Sequence, residues 1–370
     1  MSPDLATIPV MRPLLPAADR LLPYLRRIDT TRWYSNYGPL EGELAARLAT
    51  RLGLAAGCVA CAGSGTAALI GAILATAGRA AKTRPFAVVP AFTFIATASA
   101  VEACGYRLRL ADIDPDSWML DPERLGGDLD GVGLVMPVAP YGRPVPQAPW
   151  QHFQSTTGIP VVIDGAACLL GAAAEPRRYL GALPVALSFH ATKAFATGEG
   201  GAIIARDPET RRKAQQALNF GIEGRRDGAI AGTNGKMSEY HAAVGLAELD
   251  DWEGRLRAWR AMADTYRRHA AAPGLEDRLY TMPDIAPNYA LFRCRDRDEA
   301  ARVTASLHRN GVDFRLWYGD GLHRQTHYAG LAHDGLTVCD ALAPLLLGLP
   351  TAPDLSEAAI ARVIAALAEG

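Results

Sequence analysis

Apolar and polar positions change rhythm along this chain in a regular order. Between residues 40 and 205, stretches with the period of a helix alternate with short apolar runs bounded by Gly, Pro or a charge. The helical stretches cover 41–51, 65–77 and 95–103; the apolar runs, read as strands, cover 86–90, 133–138, 161–164, 185–189 and 202–205. That alternation predicts βαβ units on a mostly parallel sheet, an α/β fold. After residue 234 comes a charged amphipathic stretch, 241–272, with no proline and two glycines, which reads as one long helix, straight or bent. The pattern then restarts with a strand over 289–294, a helix over 299–310 and a last helix over 356–368. The order predicts a large first domain with the N-terminal segment, 1–245, and a linking helix with a smaller C-terminal domain, 246–370.

Composition narrows the function classes. With 370 residues the chain can bury a large core, and its length favours two domains over one. Its net charge is −1, and no dense Lys/Arg run carries interleaved aromatics, which argues against a nucleic-acid partner. No uninterrupted apolar stretch could span a bilayer, and the start, Met-Ser-Pro-Asp-Leu-Ala-Thr, lacks the basic and apolar regions of a secretion signal. The expected location is the cytoplasm. Six cysteines, at 58, 61, 104, 168, 294 and 339, are scattered among apolar neighbours. Cys58-Val-Ala-Cys61 has redox or zinc spacing, but no second pair or ligating His set accompanies it, so both read as small buried residues. No metal site is expected.

The candidate chemistry lies in three segments. Ser188-Phe-His-Ala-Thr-Lys193 follows a short apolar run and leads into Thr197-Gly-Glu-Gly-Gly201 and a second one. A lysine held there in apolar surroundings is a candidate Schiff-base nucleophile, because desolvation favours the free amine that attacks an aldehyde. The commoner fate of such a lysine is a solvated hairpin loop. Ile159-Pro-Val-Val-Ile-Asp164 places a carboxylate at the C-terminal end of a strand, where open α/β sheets bind ligands. An acid there can keep a pyridine nitrogen protonated. Gly63-Ser64-Gly65-Thr66 opens an Ala/Leu-rich helix whose free amides suit a phosphate, although Ser64 also reads as a plain N-cap.

Together with Trp33-Tyr-Ser-Asn-Tyr-Gly-Pro39, Pro90-Ala-Phe-Thr-Phe-Ile-Ala-Thr97, Asp112-Ile-Asp114, Tyr141-Gly142, Asn234-Gly-Lys-Met-Ser-Glu239 and Ala242-Ala-Val-Gly-Leu246, these pieces come in a fixed order. In that order the chain resembles the DegT-type sugar-nucleotide aminotransferases, pyridoxal-phosphate enzymes of fold type I. The resemblance implies a mostly parallel seven-stranded sheet in the large domain and a small C-terminal α+β domain. It implies Lys193 as the lysine that binds the cofactor and moves the proton, and Asp164 as the partner of the pyridine nitrogen. Phe94 would stack on the ring, although a core phenylalanine fits the same position; Gly65, Thr66 and Ser188 would hold the phosphate. Asn234 would reach the phosphate of a neighbouring chain, giving a homodimer with shared sites, although Asn-Gly is also turn chemistry. Trp33, Asn36, Tyr318 and His323 are candidate substrate contacts. The implied reaction takes an amino group from an amino acid, L-glutamate by expectation, through pyridoxamine phosphate to a keto group on a nucleotide-linked deoxysugar or related cyclic ketone.

The chain also departs from that family. Asp164-Gly-Ala-Ala167 has alanine where many members carry the Gln or His that contacts the cofactor's 3′-oxygen; Asn234-Gly-Lys236 replaces the frequent Asn-Tyr-Arg; Trp317-Tyr-Gly-Asp-Gly-Leu-His323 replaces a proline-rich turn. These changes fall where substrate is chosen. Two other readings stay open: a different pyridoxal-phosphate reaction on the same scaffold, and a non-catalytic regulator that binds cofactor or sugar nucleotide. Intact Lys193 and Asp164 speak against the regulator, because a mere binder needs no electron sink.

Overall fold

The computed structural model describes residues 6–125, 129–224 and 226–370. Its centre is a sheet of seven short strands: β1 (Val59–Ala62), β2 (Phe86–Pro90), β3 (Arg107–Ala111), β4 (Val132–Val135), β5 (Ile163–Asp164), β6 (Val185–Ser188) and β7 (Gly201–Ile204). One ladder runs β3-β2-β4 and is parallel; the other runs β1-β7-β6-β5. Parallel bridges Val135–Val161 and Val138–Asp164 join the two, so the spatial order is β3-β2-β4-β5-β6-β7-β1. β7 runs antiparallel to both of its neighbours, β6 and β1.

The strands read as continuous apolar runs because both faces of the sheet are covered. Alternate residues feed two separate cores. Val59, Cys61, Val88, Val135, Ile163, Leu187 and Ile204 point to one, with the helices Pro39–Arg51, Gln147–Thr157 and Glu239–Asp250. Ala60, Ala62, Val89, Leu134, Val162, Ala186 and Ile203 point to the other, with the helices Gly65–Thr76, Ile95–Ala103 and Pro208–Leu218. All six cysteines are free and buried.

The expected helix over 241–272 is two helices, Glu239–Asp250 and Trp252–Ala271. They meet at Asp251, whose backbone (φ −107°, ψ 18°) leaves the helical range. Periodicity alone did not show the break because apolar positions continue in register on both sides, with Leu249 and Trp252 buried about the joint. The first of these helices runs unbroken through position 245. Two of the main helices are capped as their sequence suggests: Ser64 accepts the N–H of Ala67, and Ser238 that of His241.

Beyond residue 272 a three-stranded antiparallel sheet forms from β8 (Leu279–Tyr280), β9 (Leu291–Arg293) and β10 (Leu346–Gly348), backed by the helices Arg297–Arg309 and Glu357–Ala368. The start of the chain joins this part: Ile8 bridges Val312 and Met11 bridges Thr351.

Candidate active site

The C-terminal ends of β5 and β6, the start of the helix Gly65–Thr76 and the segments around Tyr289 and Trp317 enclose a cavity of about 350 Å³. That is room enough for a small organic cofactor with part of a substrate. Its wall brings together Gly65, Thr66, Phe94, Asp164, Ser188, Lys193 and Tyr318.

Asp164 closes β5, its N–H donating to the carbonyl of Pro137 (2.9 Å) and its carbonyl accepting the N–H of Ala139 (2.8 Å). The side chain is buried and takes hydrogen bonds from Thr97 Oγ1 (2.7 Å) and the Ala166 N–H (3.1 Å). Burial pushes its carboxyl up from the ordinary range, while the Thr97 hydroxyl, the Ala166 amide and the charge of Lys193 pull it back down. Behind Thr97 the hydroxyl of Thr93 lies 2.7 Å away, and both threonines are fully buried.

Lys193 stands in the loop after β6, anchored by its N–H to the carbonyl of His190 (2.8 Å). It is half-buried, not in a solvated hairpin, and its Nζ donates to the hydroxyl of Tyr289 (3.0 Å). Asn288, one residue earlier, ties the same loop by donating from Nδ2 to the carbonyl of Thr192 (3.1 Å).

Ser64 proves to be an N-cap, and Gly65 and Thr66, whose first-turn amides have no partner within the helix, line the cavity. A side chain at Gly65 would come within 2.7 Å of Ser188 Cβ, so the helix start and the end of β6 touch only because position 65 is glycine. Phe94 lies on the wall at 56% exposure and is no core residue.

Four candidates fall elsewhere. Trp33 and Asn36 are exposed on the loop between the helices Ala18–Thr31 and Pro39–Arg51. Asn234 is exposed, with its Oδ1 accepting from Lys236 Nζ (2.8 Å). His323 is buried, its Nε2 2.8 Å from Asp340 Oδ1, and does not line the cavity. Tyr318 does line it, stacked on Tyr141 with ring centroids 4.7 Å apart and its hydroxyl accepting the Tyr141 N–H (3.2 Å).

Sequence reasoning missed Tyr289, Thr93, Thr97, Arg315 and Trp317 as site residues. The threonines sit four apart across the start of the helix Ile95–Ala103, a spacing that puts two hydroxyls on one side and could have marked them. Nothing local aims Tyr289 at a lysine 96 residues away.

Comparison with known proteins agrees with this geometry. Residues 17–368 match the profile of the DegT/DnrJ/EryC1/StrS aminotransferase family. The chain belongs to that family. It is 32% identical over 376 residues to the protein Rv3402c of Mycobacterium tuberculosis, covering 98% of this chain and 90% of that one. It is 31% identical over 292 residues to the dTDP-3-amino-3,4,6-trideoxy-alpha-D-glucose transaminase of Streptomyces venezuelae, covering 76% and 75%. The crystal structure of DesI with its TDP-sugar product superposes with a TM-score of 0.84 at 27% identity, over 99% of this chain and 93% of that one. As a family member the chain is a pyridoxal-phosphate-dependent aminotransferase of fold type I.

The residues present fit that cofactor. A buried carboxylate faces the cavity within reach of an amine's charge, an aromatic ring lies on the wall, and two free amides at the start of a 12-residue helix sit beside a serine hydroxyl. Among the described residues no group of three or more His, Cys, Asp or Glu is placed to hold a metal ion, and no helix is long and apolar enough to cross a membrane.

Proposed function

We propose that this enzyme moves an amino group from an amino acid, L-glutamate in the simplest case, to the keto group of a nucleotide-linked deoxysugar or a related cyclic ketone. The convergence of Lys193 and Asp164 in one cavity carries the reading. The sugar-nucleotide acceptor is supported by the relative named as a dTDP-sugar transaminase and by the structure of DesI with a TDP-sugar product.

Bound pyridoxal phosphate supplies an aldehyde for an amine and an electron sink for the carbon that loses its proton. The chain's residues do the rest. Asp164, ionised with the help of Thr97 and Ala166, holds the proton on the ring nitrogen. The amine of Lys193 is the nucleophile for the cofactor and, once released, the base that carries the substrate proton; the Tyr289 hydroxyl keeps it aimed. Phe94 covers a ring face and excludes water. The Gly65 and Thr66 amides with the Ser188 hydroxyl hold the phosphate.

The same proposal includes a cytoplasmic homodimer. Asn234, exposed and outside its own chain's cavity, would reach the partner's phosphate, and Trp33 and Asn36 would take the place of substrate contacts there. It also keeps a large cofactor-binding unit, 1–245, and a smaller C-terminal unit, 246–370.

Peptide mapping tests the core of the reading. Protein incubated with pyridoxal phosphate and reduced with borohydride should carry the adduct on Lys193, and Lys193→Ala should lose transamination by several orders of magnitude, as removal of a covalent nucleophile does. An adduct on another lysine, or none, overturns the assignment. Conversion of the cofactor's absorbance by L-glutamate, reversed by a keto-sugar nucleotide, tests donor and acceptor in turn.

A further inference from the structure

The side chains lining the cavity include one amine, Lys193, and one guanidinium, Arg315. Lys193 is accounted for. Among the described residues no carboxylate pairs with the Arg315 guanidinium; Glu199, the other acid on the wall besides Asp164, lies beside His190 instead (3.8 Å). The arginine is nevertheless positioned. Its N–H donates to the carbonyl of Gly348 (3.0 Å), and its carbonyl accepts the Gly348 N–H (2.7 Å). Its guanidinium carbon stands 5.2 Å from the centre of the Trp317 ring. Trp317 is itself fixed, edge-on to Tyr289 (5.5 Å) and packed so closely on Gly348 that a Cβ there would fall 2.1 Å from the indole nitrogen. Tyr289 in turn holds Lys193. A run of contacts thus leads from the reacting amine to an unpaired guanidinium at the cavity mouth.

A planar guanidinium presents paired donors that match the paired oxygens of a carboxylate or phosphate, and one already seated on an aromatic face loses less freedom on binding. We propose that Arg315, seated on Trp317, is the anion anchor of this cavity and takes paired anionic oxygens of a substrate. This rests on the aminotransferase reading. In that reaction such oxygens come from two sources, the carboxylates of the amino donor and the diphosphate of the acceptor.

The test uses cofactor-loaded protein and two probes. Affinity for thymidine diphosphate is read by calorimetry, and the L-glutamate concentration that half-saturates conversion of the cofactor's absorbance is read in single turnovers. Arg315→Gln should weaken at least one of the two by roughly ten- to a hundredfold, the loss typical of a charged hydrogen-bond pair. Arg315→Lys should recover part of it, because charge remains and the fork does not. A loss for glutamate alone assigns the donor carboxylate, for thymidine diphosphate alone the acceptor diphosphate, and for both a shared anchor. Unchanged values for both probes in Arg315→Gln, or wild-type protein that takes neither probe, overturn the proposal. Borohydride fixation on Lys193 in wild type and variant is the separate control. If it fails in wild type the aminotransferase reading falls, while the thymidine diphosphate arm still reads Arg315.

Discussion

Asp164 shows how a single residue's chemistry is set by its neighbours. A carboxylate sealed between strands would tend to hold its proton, and a protonated acid cannot keep a proton on a pyridine nitrogen. Two donors and the charge of Lys193 work against that tendency; Tyr318 and Cys168, also close by, add no positive charge. Thr97 is the first of these opposing influences, its hydroxyl donating to Asp164 with the Thr93 hydroxyl 2.7 Å behind it. The sign follows. Removing the Thr97 donor raises the carboxyl further above its ordinary value, so a higher pH is needed to ionise it. Thr97→Val should therefore shift the acid limb of the rate profile, and of the bound cofactor's absorbance titration, to higher pH, and Thr97→Ser should restore both. Loss of activity at every pH with an unmoved acid limb would show that Thr97 only packs.

At the scale of elements, the site depends on how closely three backbones meet. Gly201 begins β7 opposite Ser188, and a Cβ there would lie 2.6 Å from both the Leu187 and Ser64 carbonyl oxygens. Those are backbone atoms of β6 and of the residue capping the helix Gly65–Thr76, so neither can give way cheaply. Gly201→Ala should destabilise the fold by about 1–3 kcal/mol, as overpacking does, and should weaken cofactor binding as well, because the strain falls on the cradle. Urea titration and cofactor titration check the two effects; unchanged values would mean that β6 and the helix start move apart freely. Such close approaches explain what was legible in the chain. The glycines and strand ends around 65, 164, 188 and 201 carry local signatures, and strand and helix over 86–90 and 95–103 fall where the pattern placed them. The strand expected to run to residue 138 stops at Val135, since Pro137 has no N–H to continue the ladder, though its carbonyl still accepts from Asp164. What could not be read is pairing across distance: Tyr289 with Lys193, or Arg315 with Gly348, is written in the topology of two sheets and in no segment's composition.

At the scale of the whole molecule, Asn234 stands outside its own chain's cavity. The loop that carries Asn234 is tied to the turn between β1 and the helix Gly65–Thr76, since the Gly63 N–H donates to the carbonyl of Gly235 (2.7 Å), yet the Asn234 side chain is exposed, with its Oδ1 accepting from Lys236. Exposed aromatic rings are present as well, with Tyr34 stacked on Tyr240 (6.3 Å) and Lys236 over Phe220 (4.4 Å). A second copy related by a two-fold axis would bury such rings and could offer Asn234 to the partner's phosphate. Asn234→Asp would then place a carboxylate beside that phosphate, only partly offset by Lys236, and weaken cofactor binding by like-charge repulsion. Alone it should be nearly inactive, as should Lys193→Ala. Unfolded and refolded together in equal amounts, the two variants form heterodimers in which one site combines the intact lysine of one chain with the intact asparagine of the other. Random pairing should then restore roughly a quarter of wild-type activity. No recovery in a mixture shown to contain heterodimers would mean that Asn234 serves its own chain's site or none.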